Sequence, residues 1–156
     1  VAVAEGGKNV NSTDREKIVA IMKENSRHAY LATCDGDQPR VRPVSPIVGD
    51  DMSLWVATYA SSRKVKQIKD NPKVCMAFVA QPDGDKAAFV LATAEIIPAA
   101  DEKKRVWGLA PFDLSQYFAE GPGSPEFCLL KMIINKIEWW DSWTEGPKVY
   151  EPKKAK

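Results

Sequence analysis

Apolar residues recur along this chain with two periods, and the switches between them mark out its elements. Ile18, Val19, Ile21 and Met22 share one helical face, and the capping box Thr13-Asp-Arg-Glu16 precedes them, which predicts a helix ending near Asn25. The pattern then becomes strand-like. Ala29 to Cys34, the turn Asp35-Gly-Asp-Gln38 and Arg40 to Val48 form a hairpin signature, and Gly49-Asp-Asp51 turns the chain into a Ser53 to Thr58 strand. Val65 and Ile68, three apart among Arg63, Lys64, Lys66 and Lys69, predict a short basic helix from Arg63 to Asn71 that Pro72 stops. Strands follow at Lys73 to Val79 and Ala87 to Ile97, with the turn Pro82-Asp-Gly84 between them. Asp101 to Leu109 returns to helical composition. Pro111 to Ala119 adds a second helical piece, with Phe112, Leu114, Tyr117 and Phe118 available for packing. Past the break at Glu120 to Pro125, strands are predicted at Phe127 to Ile134 and Ile137 to Asp141. About seven strands with about three helical segments describe a mainly β, α+β chain, and suit a small barrel better than a parallel α/β sheet.

Size and charge narrow the functional classes. At 156 residues and 44% hydrophobic composition, the chain suits one domain, expected over residues 13–143, with a disordered segment at 1–12 and a tail at 144–156. A formal charge of +1 provides no general attraction to nucleic acid or membranes, so neither is expected as a partner. No apolar run reaches the roughly 18 residues of a membrane span, and a cytoplasmic protein is the expectation. Cys34, Cys75 and Cys128 are widely separated in apolar sequence and read as reduced core thiols. With His28 the sole histidine, no metal site is expected. The glycines fall in isolated turns and form neither a Walker A loop nor a dinucleotide fingerprint.

The candidate chemistry lies between Arg40 and Val74. Ser61 and Ser62 stand where the basic helix would be capped, and Arg63 and Lys64 occupy its first turn. A helix N-terminus already carries about half a positive charge, so each cation there is unfavourable by a few tenths of a kcal/mol. A bound anion would reverse the sign. Free backbone N–H groups, two hydroxyls and two cations are what a phosphate monoester needs, and Arg40 and Arg42 share one face of the preceding strand. On composition alone, a solvated basic helix remains the plainer reading.

The run Thr58-Tyr-Ala-Ser-Ser-Arg-Lys-Val-Lys-Gln-Ile-Lys-Asp-Asn-Pro-Lys-Val74 resembles the flavin-phosphate segment of the pyridoxamine 5'-phosphate oxidase superfamily, the FMN-binding split β-barrels. Arg42-Pro-Val-Ser45 is similar to the strand whose arginine reaches the FMN phosphate, and Trp140 falls at the tryptophan of the family's Glu-Phe-Trp pattern. The resemblance spans roughly residues 13 to 143, and the chain is most similar to the short general stress protein 26 branch. It implies a split β-barrel of about six to seven antiparallel strands with peripheral helices, dimerised to bind FMN at the subunit interface. Arg42, Ser62, Arg63 and Lys64 would hold the phosphate. Pro43, Val44, Ser45, Ala57 and Thr58 would line the ring or the ribityl chain, and Trp140 would approach from the other strand system.

Departures from the family bear on activity. The oxidase has a substrate lysine five residues after its phosphate arginine, where this chain has Ile47. Its closing Arg-Leu-His-like segment is replaced by Asp141-Ser-Trp-Thr-Glu-Gly-Pro-Lys, and a flavin-facing glutamine by Ala87. The expectation is therefore a flavin-dependent oxidoreductase of unknown substrate, lacking the residues for pyridoxamine phosphate oxidation and with no catalytic side chain assigned. The alternatives are a non-catalytic FMN- or FAD-binding stress protein, or a member of the fold that takes the deazaflavin F420 or haem. Among the five tryptophans, Trp139 and Trp140 are consecutive on a strand and so point to opposite faces, while Trp107 is expected at a subunit boundary.

Overall fold

A computed structural model describes residues 14–153. Thr13 of the predicted capping box, the 1–12 segment, Lys154 and Lys156 lie outside the described residues. Helix α1 covers residues 14–24 and buries Ile18, Val19, Ile21 and Met22, the face that the periodicity marks. Strands β1 (Ala29–Asp35) and β2 (Gln38–Val44) form the predicted hairpin around Gly36, whose φ of 62° strains any residue with a Cβ. Beyond them come β3 (Ile47–Val48), β4 (Leu54–Tyr59), α2 (Arg63–Asp70), β5 (Lys73–Val79), β6 (Ala87–Ile96), α3 (Ala100–Trp107), β7 (Phe127–Trp140) and β8 (Lys148–Tyr150).

All eight strands join one antiparallel sheet in the order β2-β1-β5-β6-β7-β4-β3, with β8 on β7. The two terminal strands of this order, β2 and β3, are consecutive in sequence and separated only by Ser45-Pro46. So short a connection forces the sheet to curl until its ends meet, which makes the barrel. It also explains why the predicted Arg40 to Val48 strand is two strands. Pro46 has no N–H to donate to a ladder, so pairing stops and the chain changes partner there.

Three further segments differ from expectation. The predicted strands at 127–134 and 137–141 are one strand, β7, of 14 residues. Leu91 pairs with Lys136 and Ala92 with Ile134, so Asn135 is an inserted bulge residue that breaks the alternation without ending the strand. The 144–156 segment, expected to be a tail, contributes β8, which pairs with Ile137–Trp139. The helical piece expected over 111–119 reduces to a 3-10 turn, Leu114–Gln116, capped by the Asp113 carboxylate.

The main core lies inside the barrel and under α1 and α2, with Leu31, Leu54, Met76, Phe78, Val90, Leu130 and Trp139 among its members. A second core covers the outside of β4 and the start of β7. It joins Ile47, Trp55, Leu129 and Phe127 to Val106 of α3 and to Leu114 and Phe118. Trp107 packs within the chain, edge-on to Phe127 at 5.2 Å and tilted toward Phe118 at 6.2 Å. Buried on both faces, this part of the sheet reads as a continuous apolar run, Phe127 to Leu130, rather than an alternation. Among the described residues, no helix is long and apolar enough to cross a membrane, and no cluster of His, Cys, Asp or Glu could hold a metal ion.

Candidate cofactor site

The site forms at the seam where the two ends of the sheet meet. Arg42 lies opposite Leu31 on the inward face of β2, and its guanidinium turns toward α2. Nη1 donates to the Leu31 carbonyl at 3.2 Å and to Thr33 Oγ1 at 2.7 Å, and Nη2 donates to Gln67 Oε1 at 2.8 Å. Each of these acceptors is neutral. Burial, and then repulsion from Arg40, push the Arg42 pKa down. Lys64, in the first turn of α2, donates from Nζ to Thr58 Oγ1 at 2.8 Å, and burial followed by the charge of Arg42 lowers its pKa too. Among the described residues, no carboxylate forms a salt bridge with Arg42, Arg63 or Lys64, whereas Arg40 lies 3.7 Å from Asp35.

Ser62 occupies the N-cap position of α2 in extended backbone, yet its side chain makes no capping bond. Its Oγ is buried with no hydrogen-bond partner. Ser61 does not cap either, because Glu126 captures it: Ser61 Oγ donates to Glu126 Oε2 at 2.8 Å. An orphaned hydroxyl at a helix N-terminus, beside two part-buried cations without counter-charges, fits an anion such as a phosphate monoester.

A cleft of about 350 Å³ opens next to these groups. Pro43, Val44 and Ser45 from the end of β2, and Val56 to Tyr59 from β4, form one wall. Phe112 to Leu114 and Gln116 to Phe118 form the other, held against β4 by the second core, and Arg27 and Lys64 border the opening. Ser45 Oγ donates to the Arg27 carbonyl at 2.9 Å and ties the end of β2 to the turn that precedes β1. A second hollow of about 360 Å³ is lined by Arg40, Val41, Arg42, Arg63 and Lys64. Lys64 borders both.

The structure thus brings together Arg42, Pro43, Val44, Ser45, Ala57, Thr58, Arg63 and Lys64, with Ser62 next to them in the chain. Trp140 is elsewhere. Thr58 pairs with Cys128 near the start of β7, and Trp140 lies twelve residues further along that strand, about 40 Å at the usual rise. Its Nε1 donates to the Gly84 carbonyl at 2.8 Å, and its ring stacks on Trp143 at 5.4 Å. Trp139 points inward and is buried, as alternation on a strand requires.

Sequence reading missed several neighbours. Phe112, Leu114, Tyr117 and Phe118 were legible as packing residues, but nothing local ties them to β4. Arg27 sits in a 3-10 turn with no pattern around it. Thr33 and Gln67 had a weak signal, since Gln67 is a polar residue between Val65 and Ile68 on the apolar face of the basic helix. The thiols stay unpaired: Cys128 is buried, Cys34 and Cys75 are half-buried, and burial pushes Cys75 and Cys128 up in pKa, away from the reactive thiolate.

Solved structures share this architecture. The general stress protein 26 of Bacillus anthracis str. Sterne superposes with a TM-score of 0.72 at 24% identity, covering 88% of this chain and 98% of its own. A Clostridium acetobutylicum protein related to general stress protein 26, of the pyridoxinephosphate oxidase family, gives 0.71 at 19% identity over 87% and 95% of the two chains. A heme binding protein from Mycobacterium smegmatis gives 0.72 at 12% identity over 88% of this chain and 57% of that one. At such identities these are likenesses of fold. None of the curated proteins matches the sequence. Residues 15–141, most of the chain and all of the seam, match the family described as pyridoxamine 5'-phosphate oxidase, and the protein belongs to that family.

Proposed function

We propose that the protein is a homodimeric FMN-binding flavoprotein, an oxidoreductase whose substrate is unknown. One observation carries the reading: Arg42 and Lys64 converge without counter-charges, near the orphaned Ser62 hydroxyl, beside a cleft of mixed polar and apolar lining. Arg42, Ser62, Arg63 and Lys64 hold the phosphate, through charge-assisted bonds of about 1.5–3 kcal/mol each. Pro43, Val44, Ser45, Ala57 and Thr58 line the ring or ribityl chain. FMN, when bound, supplies hydride or electron transfer. The chain's own residues bind it, orient it and exclude water from its apolar portion, with no side chain assigned to catalysis.

Dimerisation is supported by the outer face of β2, β1, β5 and β6. Register puts Val41, Tyr30, Ala32, Cys34, Cys75 and Leu91 on that one face, with Tyr30 42% and Val41 67% exposed. An apolar face of this kind marks an interaction surface, and a second copy of the chain is the occupant proposed. Trp140 belongs to a flavin site only if the second copy supplies it. The free thiols suit a reducing, cytoplasmic compartment.

A second reading, a flavin-binding stress protein without turnover, is favoured by Ile47. This residue stands where the oxidase resemblance puts a substrate lysine, and it is 1% exposed within the second core. Pyridoxamine phosphate oxidation is not part of either reading. F420 carries a phosphate and fits the same anion site, while haem has only His28, exposed in a turn outside the cleft lining.

The test is the visible spectrum of the purified protein with mass spectrometry of whatever heat releases. Flavin bands with FMN in the supernatant are expected, together with an FMN-dependent rise in Tm. A colourless protein that ignores added FMN sinks the reading. Flavin turnover coupled to loss of a small molecule, above that of free FMN, separates the enzyme from the binding protein.

A further inference from the structure

We infer that Gln67 and Thr33 are positioning residues that hold Arg42 in place for an anion while leaving its charge uncompensated. The inference rests on the anion-site reading above and adds residues to it.

Gln67 is 5% exposed and Thr33 3%. A polar side chain on the buried face of a helix is unfavourable unless its hydrogen bonds are made, and this one is made with care for charge. Helix α2 packs on β1, which brings Gln67 onto Thr33, and the β1–β2 register brings Arg42 beside both. Thr33 Oγ1 donates to Gln67 Oε1 at 2.6 Å, and each of the two oxygens also accepts from Arg42. A guanidinium can only donate, so the amide oxygen must face it and the orientation of Gln67 is fixed by chemistry. The three side chains close a ring. Nη1 is fully used by Thr33 and the Leu31 carbonyl, and Nη2 is half used by Gln67. The Nε–H and one Nη2–H remain for a ligand.

Two other arginines have carboxylate partners: Arg105 bonds Glu102 at 2.6 Å, and Arg40 lies near Asp35. Arg42 is deeper and receives only an amide, a hydroxyl and a carbonyl. A glutamate at position 67, matching glutamine in shape, would accept the same two bonds and neutralise the cation as well. For stability alone the carboxylate serves at least as well, because it supplies the counter-charge that the buried guanidinium lacks. For anion binding it is ruinous, since the internal carboxylate competes with the ligand. The amide therefore separates a functional from a structural role.

The experiment measures Kd for FMN and for riboflavin, and the Tm shift produced by inorganic phosphate, on the full chain and its variants. Gln67→Glu is expected to keep its Tm at or above the parent's, lose the phosphate shift, and bind FMN about 10- to 100-fold more weakly, with riboflavin unchanged within about twofold. Thr33→Val is expected to lose part of the FMN preference, and Thr33→Ser, which keeps the hydroxyl, to retain it. A Gln67→Glu protein with the parent's FMN-to-riboflavin ratio overturns the inference and leaves the anion site standing. Should Gln67→Glu not fold, a Thr33→Val protein indistinguishable from Thr33→Ser in that ratio overturns it instead. A parent protein with no FMN preference and no phosphate shift refutes the anion site itself, and the inference with it.

Discussion

The two regions of the molecule that carry family-pattern residues are built on opposite terms. At the seam, Arg42 and Lys64 are part-buried without carboxylates and Ser62 Oγ has no partner. At the far end of β7, every group around Trp140 is engaged: its Nε1 bonds the Gly84 carbonyl, its ring stacks on Trp143 and tilts onto Phe89 at 5.3 Å, and the Trp143 amide bonds Asp85 at 2.9 Å. Unfinished bonding in a buried place is unfavourable, and a bound anion is a partner that would complete it at Ser62. Finished bonding needs no ligand. The seam therefore carries the features proposed for an anion site within one chain, whereas around Trp140 a single chain leaves nothing open for a ligand.

The largest effect should come from emptying the charged end. Replacing Arg42 and Lys64 together with alanine removes two charge-assisted bonds, so FMN should weaken by about 100-fold or more while riboflavin, which has no phosphate, changes little. Isothermal titration with both ligands reads this directly. Equal losses for the two would mean that the cations serve the fold and not the phosphate.

A gentler way to remove the same charge is pH. Burial, and then Arg42, hold the Lys64 ammonium below its ordinary pKa. Between the lowered folded value and the ordinary unfolded one, the folded chain binds fewer protons, so the flavin-free protein gains stability as pH rises through that window. A phosphate ester prefers the protonated amine. FMN affinity should fall across the same alkaline window, by about tenfold for one charge-assisted bond, with riboflavin level. Fluorescence titrations of the parent and of Lys64→Met, whose profile should be flat, sharpen the contrast; a parent profile equally flat would remove Lys64 from the site.

Much of the seam was legible because its signals are local. The basic first turn of α2, the paired arginines on β2 and the serines before the helix all lie within Arg40 to Lys64, and the fold brings them together with little rearrangement. What was not legible depends on contacts distant in sequence. Ser61 looks like a cap until Glu126, 65 residues on, takes its hydroxyl. The Phe112 to Phe118 wall reads as generic packing until the second core fastens it to Trp55 and Phe127. Asn135 looks like the end of a strand because a bulge resets the alternation, and only pairing across to Leu91 and Ala92 shows continuity.

The far end of β7 can be tested for an intrinsic and a borrowed role at once. Trp140→Phe keeps the stacking surface but gives up the bond to the Gly84 carbonyl, so Tm should fall by the equivalent of about 1 kcal/mol. If a second copy brings Trp140 to the flavin, FMN and riboflavin should both weaken, by a few-fold and equally, because the ring contact ignores phosphate. Unchanged affinities would leave Trp140 a purely structural residue.

The smallest change is the most discriminating. Ser62→Ala at a helix N-cap ordinarily costs about 1 kcal/mol, through loss of the side-chain cap. Here no cap bond exists to lose, and the substitution removes a buried hydroxyl that has no partner. The flavin-free protein should therefore keep its Tm or gain slightly, while FMN weakens by a few-fold and riboflavin does not. Stability and affinity move apart only if the hydroxyl is held in reserve for a ligand. A fall in Tm of normal capping size, with FMN affinity intact, would return Ser62 to the helix and remove the best evidence that the seam was built around an anion.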